Sequence, residues 1–141
     1  MTILGCTGSV GEQAIDVALK NNIRVNAICA HRNVKRVEEQ ARALHVPVCA
    51  MADENAAKEL KLALADTNTQ VLSGMDGICE MIAMPFDADE VVVNSIIGEA
   101  GLKPTLATLG AGKKLALANK ESLVCAGDFV MKLAKEKDLE I

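Results

Sequence analysis

The chain has no tryptophan, no tyrosine and only two phenylalanines in 141 residues. Yet 50% of its residues are hydrophobic, so a core has to be built from Val, Ile, Leu, Ala and Met. Aliphatic strands alternating with alanine-rich helices suit a parallel sheet covered on both faces. There is no basic stripe and no interleaving of aromatic with basic residues. The net charge is −4 and the pI about 5.2, which argues against a nucleic-acid partner. No apolar run approaches the length of a membrane span, and the start lacks a charged segment followed by an apolar one. The five cysteines, Cys6, Cys29, Cys49, Cys79 and Cys125, are odd in number, scattered, and without a C-x-x-C pair. They read as reduced thiols in a cytoplasmic protein. His31 and His45 stand at no metal-ligand spacing from them, so no metal site is expected. Repeats, low-complexity tracts and linkers are also absent, and the length suits one domain.

What the chain does have is a glycine turn at its start. Thr2-Ile3-Leu4 is a short apolar strand, followed by Gly5-Cys6-Thr7-Gly8-Ser9-Val10-Gly11 and then a helix. That order of strand, glycine turn and helix is the layout of a dinucleotide-binding site. Glycine permits the sharp turn and the close approach of a pyrophosphate, and the free N–H groups opening the helix bind the anion. The spacing, Gly-x-x-Gly-x-x-Gly, departs from the usual G-x-G-x-x-G. A turn of this composition without a ligand is the alternative.

Strand and helix signals alternate along the rest of the chain. Strands are expected over residues 2–4, 24–29, 46–50, 70–72, 91–93 and 115–118. The first helix, over about 9–20, carries Val10, Ala14 and Val17 on one face. Asn33 caps a helix with Val34, Val37, Ala41 and Leu44 inward. Asp53 begins another, with Ala57, Leu60 and Leu64 on one stripe. A weaker helix spans about 75–83 and stops before Pro85. Pro104 suits the first turn of a helix ending near Gly110 to Gly112. A long helix runs from about Lys120 to Lys135, with Cys125 buried within it. Leu139-Glu140-Ile141 reads as the start of a further strand, so the chain reads as one domain of a longer protein. The fold class is α/β: a Rossmann-type, doubly wound, mainly parallel sheet with helices on both faces. Ligands then bind at the C-terminal ends of the strands, where residues 5–11, 30–33, 97–101 and 119–122 converge.

The second strand ends in Ala30-His31-Arg32-Asn33, without the acidic residue that holds a ribose 2′-hydroxyl in NAD binders. Arg32 can instead pair with a 2′-phosphate through its planar fork, which favours NADP over NAD. A solvated charge is the alternative. His31 lines the site rather than catalysing. In Asn119-Lys120-Glu121-Ser122, Lys120 opposes the helix dipole and so calls for an anionic partner, such as a substrate phosphate or carboxylate. A solvent-pointing lysine is the alternative.

Three runs, Gly5-Cys6-Thr7-Gly8-Ser9-Val10-Gly11, Val93 to Leu106 (Val-Asn-Ser-Ile-Ile-Gly-Glu-Ala-Gly-Leu-Lys-Pro-Thr-Leu), and Leu115 to Val124 (Leu-Ala-Leu-Ala-Asn-Lys-Glu-Ser-Leu-Val), occur in this order. In them the chain resembles the 1-deoxy-D-xylulose 5-phosphate reductoisomerases over essentially its whole length. The resemblance implies an NADPH-dependent, metal-dependent enzyme of non-mevalonate isoprenoid biosynthesis. Such enzymes rearrange and reduce 1-deoxy-D-xylulose 5-phosphate to 2-C-methyl-D-erythritol 4-phosphate, and they are homodimers. Residues 1–141 would be the NADPH-binding domain, with the catalytic and C-terminal domains absent. Thr7, Gly8, Ser9 and Val10 would hold the pyrophosphate. His31, Arg32 and Asn33 would contact the 2′-phosphate end, although the family commonly has glycine where His31 stands. Asn119 and Glu121 would contact NADPH nearer the nicotinamide, and Lys120 the substrate. No catalytic and no metal residue is assigned here, since the divalent ion, Mg or Mn, belongs to the absent catalytic domain. This chain alone is expected to bind NADPH without turnover. The alternatives are a non-catalytic NADP-binding module and a domain of a semialdehyde-dehydrogenase-like oxidoreductase. The second needs a nucleophilic cysteine. Epimerases and short-chain reductases need a Tyr-x-x-x-Lys pair that a chain without tyrosine lacks.

Overall fold

The computed structural model describes residues 1–141. Six strands, β1 Thr2–Leu4, β2 Ala27–Ala30, β3 Val48–Met51, β4 Gln70–Ser73, β5 Val91–Asn94 and β6 Lys114–Leu117, form one sheet. The order is β4-β3-β2-β1-β5-β6 and every pair is parallel. Six helices connect or follow them: α1 Ser9–Lys20, α2 Val34–Leu44, α3 Glu54–Ala63, α4 Gly74–Ala83, α5 Leu102–Gly110 and α6 Lys120–Glu136. A 3-10 turn, Glu99–Gly101, precedes α5. The strand order reverses between β1 and β5, so the crevice of a doubly wound sheet opens there.

Burial follows from the pleat. Alternate residues of β2, Ile28 and Ala30, pack with Ile15 and Ala18 of α1, Val37 and Ala41 of α2, and Ala56 and Leu60 of α3. Their neighbours Ala27 and Cys29 face the other way, onto Ile78, Met81 and Ile82 of α4. The central strands are therefore buried on both faces and read as uninterrupted apolar runs. A smaller cluster, Leu109, Leu115, Val130 and Ala134, seats α5 and α6 at the β6 edge.

Register explains where strands begin. Thr2 pairs with Ala27, and Ala27 with Val48. Arg24 to Asn26 and Val46 to Pro47 therefore precede the ladder rather than starting it. The inward face of α1 also differs from the expected one. It is Gly11, Ile15 and Ala18, while Val10 and Val17 remain 42% and 51% exposed and Ala14 packs at the core's margin. Gly11 has no Cβ, so the helix sits down on that side. The last helix is not continuous: Ala126 (φ −146°, ψ 27°) breaks it beside Gly127. Leu139 to Ile141 form no strand, but Leu115 N–H donates to the Glu140 carbonyl at 3.2 Å along the edge of β6.

At the N-terminal ends of the strands, Glu90 and Lys113 form a buried ion pair. The Thr2 hydroxyl donates to Glu90 (2.6 Å), Lys113 also donates to the Met84 carbonyl (2.6 Å), and its Nζ lies 5.3 Å from the centre of the Phe86 ring. Removing one charge of such a pair strands the other in the interior. Lys113→Met is therefore expected to cost about 3–5 kcal/mol in urea unfolding. The double variant Glu90→Leu/Lys113→Met is expected to recover part of that loss.

Candidate functional site

The glycine turn is held by both neighbouring strands. Gly5 and Cys6 N–H groups both donate to the Cys29 carbonyl of β2 at 2.9 Å. Just past β5, Ser95 N–H and hydroxyl donate to the Leu4 carbonyl at 3.0 and 2.6 Å. Gly5 has φ +76°, and a Cβ there would stand 2.8 Å from the Ser95 carbonyl oxygen. A Cβ on Gly11 would stand 2.2 Å from the Gly5 oxygen. Glycine at both positions brings the start of α1 directly over the strand ends. Behind the turn, the buried Gln40 amide donates to the Cys6 carbonyl at 2.9 Å. Arg36 of α2 grips both carboxylate oxygens of Glu12, which holds that carboxyl below the usual range.

Gly8 stands at the N-cap of α1 and offers no side chain to cap the helix. By contrast α2, α3 and α6 are closed by Asn33, Asp53 and Asn119, whose side chains accept from Arg36, Ala56 and Ser122 N–H. The first-turn N–H groups of α1 thus point out unpaired, at the positive end of the dipole. A Cβ on Gly8 would meet only the Gly5 oxygen, at 3.4 Å, so its free side faces open space. Its φ is −80°, a value open to any residue.

Two cavities meet at this point. The larger, about 360 Å³, is mainly apolar; Cys29, Ala30 and His31 form one side and Ala52, Met75 and Ile78 another. The smaller, about 170 Å³, is lined by Ser9, Val10, Ala118, Lys120 and Glu121. Gly8, Ser95, Ile96 and Ile97 belong to both. Thr7 opens onto the larger one. Arg32 and Asn33 line neither; they are exposed beside His31 at the end of β2. Arg32 and Lys120 take part in none of the nine ion pairs. Asn33 uses its oxygen to cap α2 at 3.2 Å, which leaves its amide free to donate. Asp53 stands nearby with its carboxyl held low, chiefly by the Ala56 N–H and further by Arg32 and His31.

The side chain of Asn119 turns inward. It is buried, and its amide donates to the Ile96 and Gly98 carbonyls. Its oxygen accepts from both the Ser122 N–H (2.8 Å) and the Ser122 hydroxyl. All of its side-chain hydrogen-bonding capacity is used inside the protein, so the side chain has none left for a ligand. Sequence reasoning missed its counterpart Asn94, at the end of β5, and the Ser95 anchor. The polar pair that closes an otherwise apolar Val91-Val92-Val93 run was the available signal.

The thiols divide sharply. Burial pushes Cys29 and Cys49 up to about 12 and Cys6 upward as well, so these three are inert at neutral pH. Cys125, expected to be buried, is exposed, next to the break at Ala126. It sits in a shallow groove with Glu99, Leu102, Lys103, Leu106 and Glu121 and lines neither of the two cavities. No three His, Cys, Asp or Glu side chains gather closely enough to hold a metal ion, and no helix is long and apolar enough to cross a membrane.

The sequence and the fold have counterparts among known proteins. A family model described as 1-deoxy-D-xylulose 5-phosphate reductoisomerase matches residues 1–127. The chain is 42% identical over 137 residues to the reductoisomerase of Desulfitobacterium hafniense (strain DSM 10664 / DCB-2), covering 96% of this chain and 35% of that one. It is 39% identical over 145 residues to the chloroplastic reductoisomerase of Mentha piperita, covering 100% of this chain and 30% of that one. The chain therefore spans about a third of the length of the relatives it matches. Among solved structures, the Zymomonas mobilis reductoisomerase in complex with NADPH superimposes with a TM-score of 0.91 at 36% identity, covering 99% of this chain and 37% of that one. A reductoisomerase in complex with NADPH, fosmidomycin and magnesium gives 0.90 at 36% identity, covering 98% and 34%. By the family match over 1–127 and by these likenesses, the chain belongs to the 1-deoxy-D-xylulose 5-phosphate reductoisomerase family.

Proposed function

We propose that residues 1–141 are the NADPH-binding domain of a 1-deoxy-D-xylulose 5-phosphate reductoisomerase. The observation that carries this is the uncapped start of α1 between two cavities, with unpaired Arg32 beyond one and unpaired Lys120 within the other. An extended dinucleotide has the same plan: two rings joined by a doubly anionic bridge. The bridge sits on the turn from Thr7 to Val10, on the N–H groups of Ser9 and Val10, while the Gly8 N–H stays bonded to the Gly5 carbonyl at 3.0 Å and Gly8 leaves the space for the anion. The adenosine half fills the larger cavity, and its 2′-phosphate reaches Arg32, with His31 and the Asn33 amide beside it. The nicotinamide half lies toward Glu121, and Lys120 meets an oxygen of the substrate.

NADPH, when bound, supplies the hydride. The reaction proposed for the whole enzyme rearranges and reduces 1-deoxy-D-xylulose 5-phosphate to 2-C-methyl-D-erythritol 4-phosphate. Its divalent ion needs clustered oxygen ligands, and the acids of this chain are not gathered for that. The metal and most of the substrate contacts are therefore assigned to a catalytic domain outside these residues, and turnover by residues 1–141 alone is not expected. A homodimeric enzyme in the cytoplasm is part of the same proposal. The relatives known to be complexed with NADPH and magnesium support the cofactor and metal assignments.

Two variants test the cofactor assignment by titration calorimetry. Arg32→Ala removes a charge-assisted contact typically worth about 1.5–3 kcal/mol, so NADPH should bind roughly tenfold or more weakly while NADH hardly changes. Equal losses for both cofactors would place the 2′-phosphate elsewhere. Gly8→Val puts a branched side chain into the anion's space without imposing a forbidden φ. It should abolish NADPH binding while the unfolding midpoint stays near that of the parent. Full binding by the folded variant would remove the bridge from this turn.

A further inference from the structure

The wall shared by the two cavities is Ser95 to Ile97, the first part of the loop that runs to Gly101, and nothing covers its apex: Ile97 is 83% exposed. Such a loop would ordinarily be mobile. Here two buried asparagines hold it, one from each side. Asn94, at the end of β5, donates to the Gly101 carbonyl (2.9 Å) and the Thr105 hydroxyl (3.0 Å), and accepts from Ile96 N–H (3.2 Å). Asn119, at the start of α6, donates to the Ile96 and Gly98 carbonyls. The two are joined through Thr105, whose hydroxyl lies 3.4 Å from that of Ser122, and Ser122 in turn donates to Asn119. Backbone groups at 96, 98 and 101 are thus bonded to these side chains, beside the 3-10 turn's own bond from Gly101 N–H to the Gly98 carbonyl at 3.2 Å. Each asparagine touches the loop and neither lines a cavity.

We infer that Asn94 and Asn119 are positioning residues, which fix the 95–101 loop before the dinucleotide arrives and so spare binding the cost of ordering it. This rests on the proposal that NADPH occupies the groove. Without the clamp, the loop has to be ordered by the ligand, and the affinity falls by that amount. The ring-facing residues Ile96 and Ile97 are unchanged, so the loss is one of preorganisation and not of contact.

The test combines hydrogen exchange with NADPH calorimetry on the parent protein, Asn94→Ala, Ser122→Ala and Thr108→Val. Thr108 is equally buried, and its hydroxyl bonds only within α5, to the Pro104 carbonyl. It serves as a control for lost stability. In Asn94→Ala the amides of 96–101 should exchange faster, and NADPH should bind about fivefold to tenfold more weakly, as expected when binding has to order a loop. Adding NADPH should then restore protection at 96–101 in the variant and change it little in the parent. Thr108→Val should alter neither the loop nor the affinity. Should Asn94→Ala fail to fold, Ser122→Ala carries the same comparison. Faster exchange with an unchanged affinity, or an equal loss in Thr108→Val, would overturn the inference. A parent that does not bind NADPH would instead overturn the proposed function, while unchanged loop exchange in both clamp variants would still refute the clamp.

Discussion

The site depends on one close approach. The Gly11 Cα of α1 rests against the Gly5 carbonyl and Cys6, nearer than any side chain would allow. That contact brings the beginning of α1 to the end of β1. The free N–H groups of the helix therefore lie at the crevice where the strand order reverses, and not out in solvent. The remaining features of the turn maintain this placement. Cys29 and Ser95 bind it from the flanking strands, Gln40 supports it from behind, and the Arg36–Glu12 pair braces α1 against α2.

Polar groups are buried at both ends of the strands, with different consequences. At the N-terminal ends, Glu90, Lys113 and Thr2 satisfy one another and join β1 to β5 and β6. At the C-terminal ends, Asn94 and Asn119 bind loop backbone instead, with Thr105 and Ser122 linking the two. The first set holds strands that hydrophobic burial already holds. The second shapes a segment with little apolar burial of its own. That is why the second bears on ligand affinity and the first on stability.

Much of this was legible in the sequence. Alternating apolar and alanine-rich segments gave the parallel α/β sheet, since strands covered on both faces have no reason to alternate. Asn33, Asp53 and Asn119 marked helix starts because a side-chain oxygen is the common solution there. The glycine turn lies between β1 and α1, and Arg32 just after β2, as the order of strand and helix signals placed them. The failures were tertiary. Val10 and Val17 were apolar enough to look buried, but the contact of Gly11 chose the neighbouring face. Cys125 looked buried from its apolar neighbours but lies on the exposed side of α6. Asn94 was hidden at the end of a valine run, with its partners seven and eleven residues away.

The central claim is that the N–H groups opening α1 receive the pyrophosphate of NADPH while Arg32 reads its 2′-phosphate. Amide chemical-shift mapping during titration with NADPH and then NADH addresses it directly. The account predicts large shifts at Gly8, Ser9 and Val10 with both cofactors, and shifts at His31, Arg32 and Asn33 that are strong with NADPH and weak with NADH. Shifts confined to other segments, or an identical response of 31–33 to both cofactors, would contradict it.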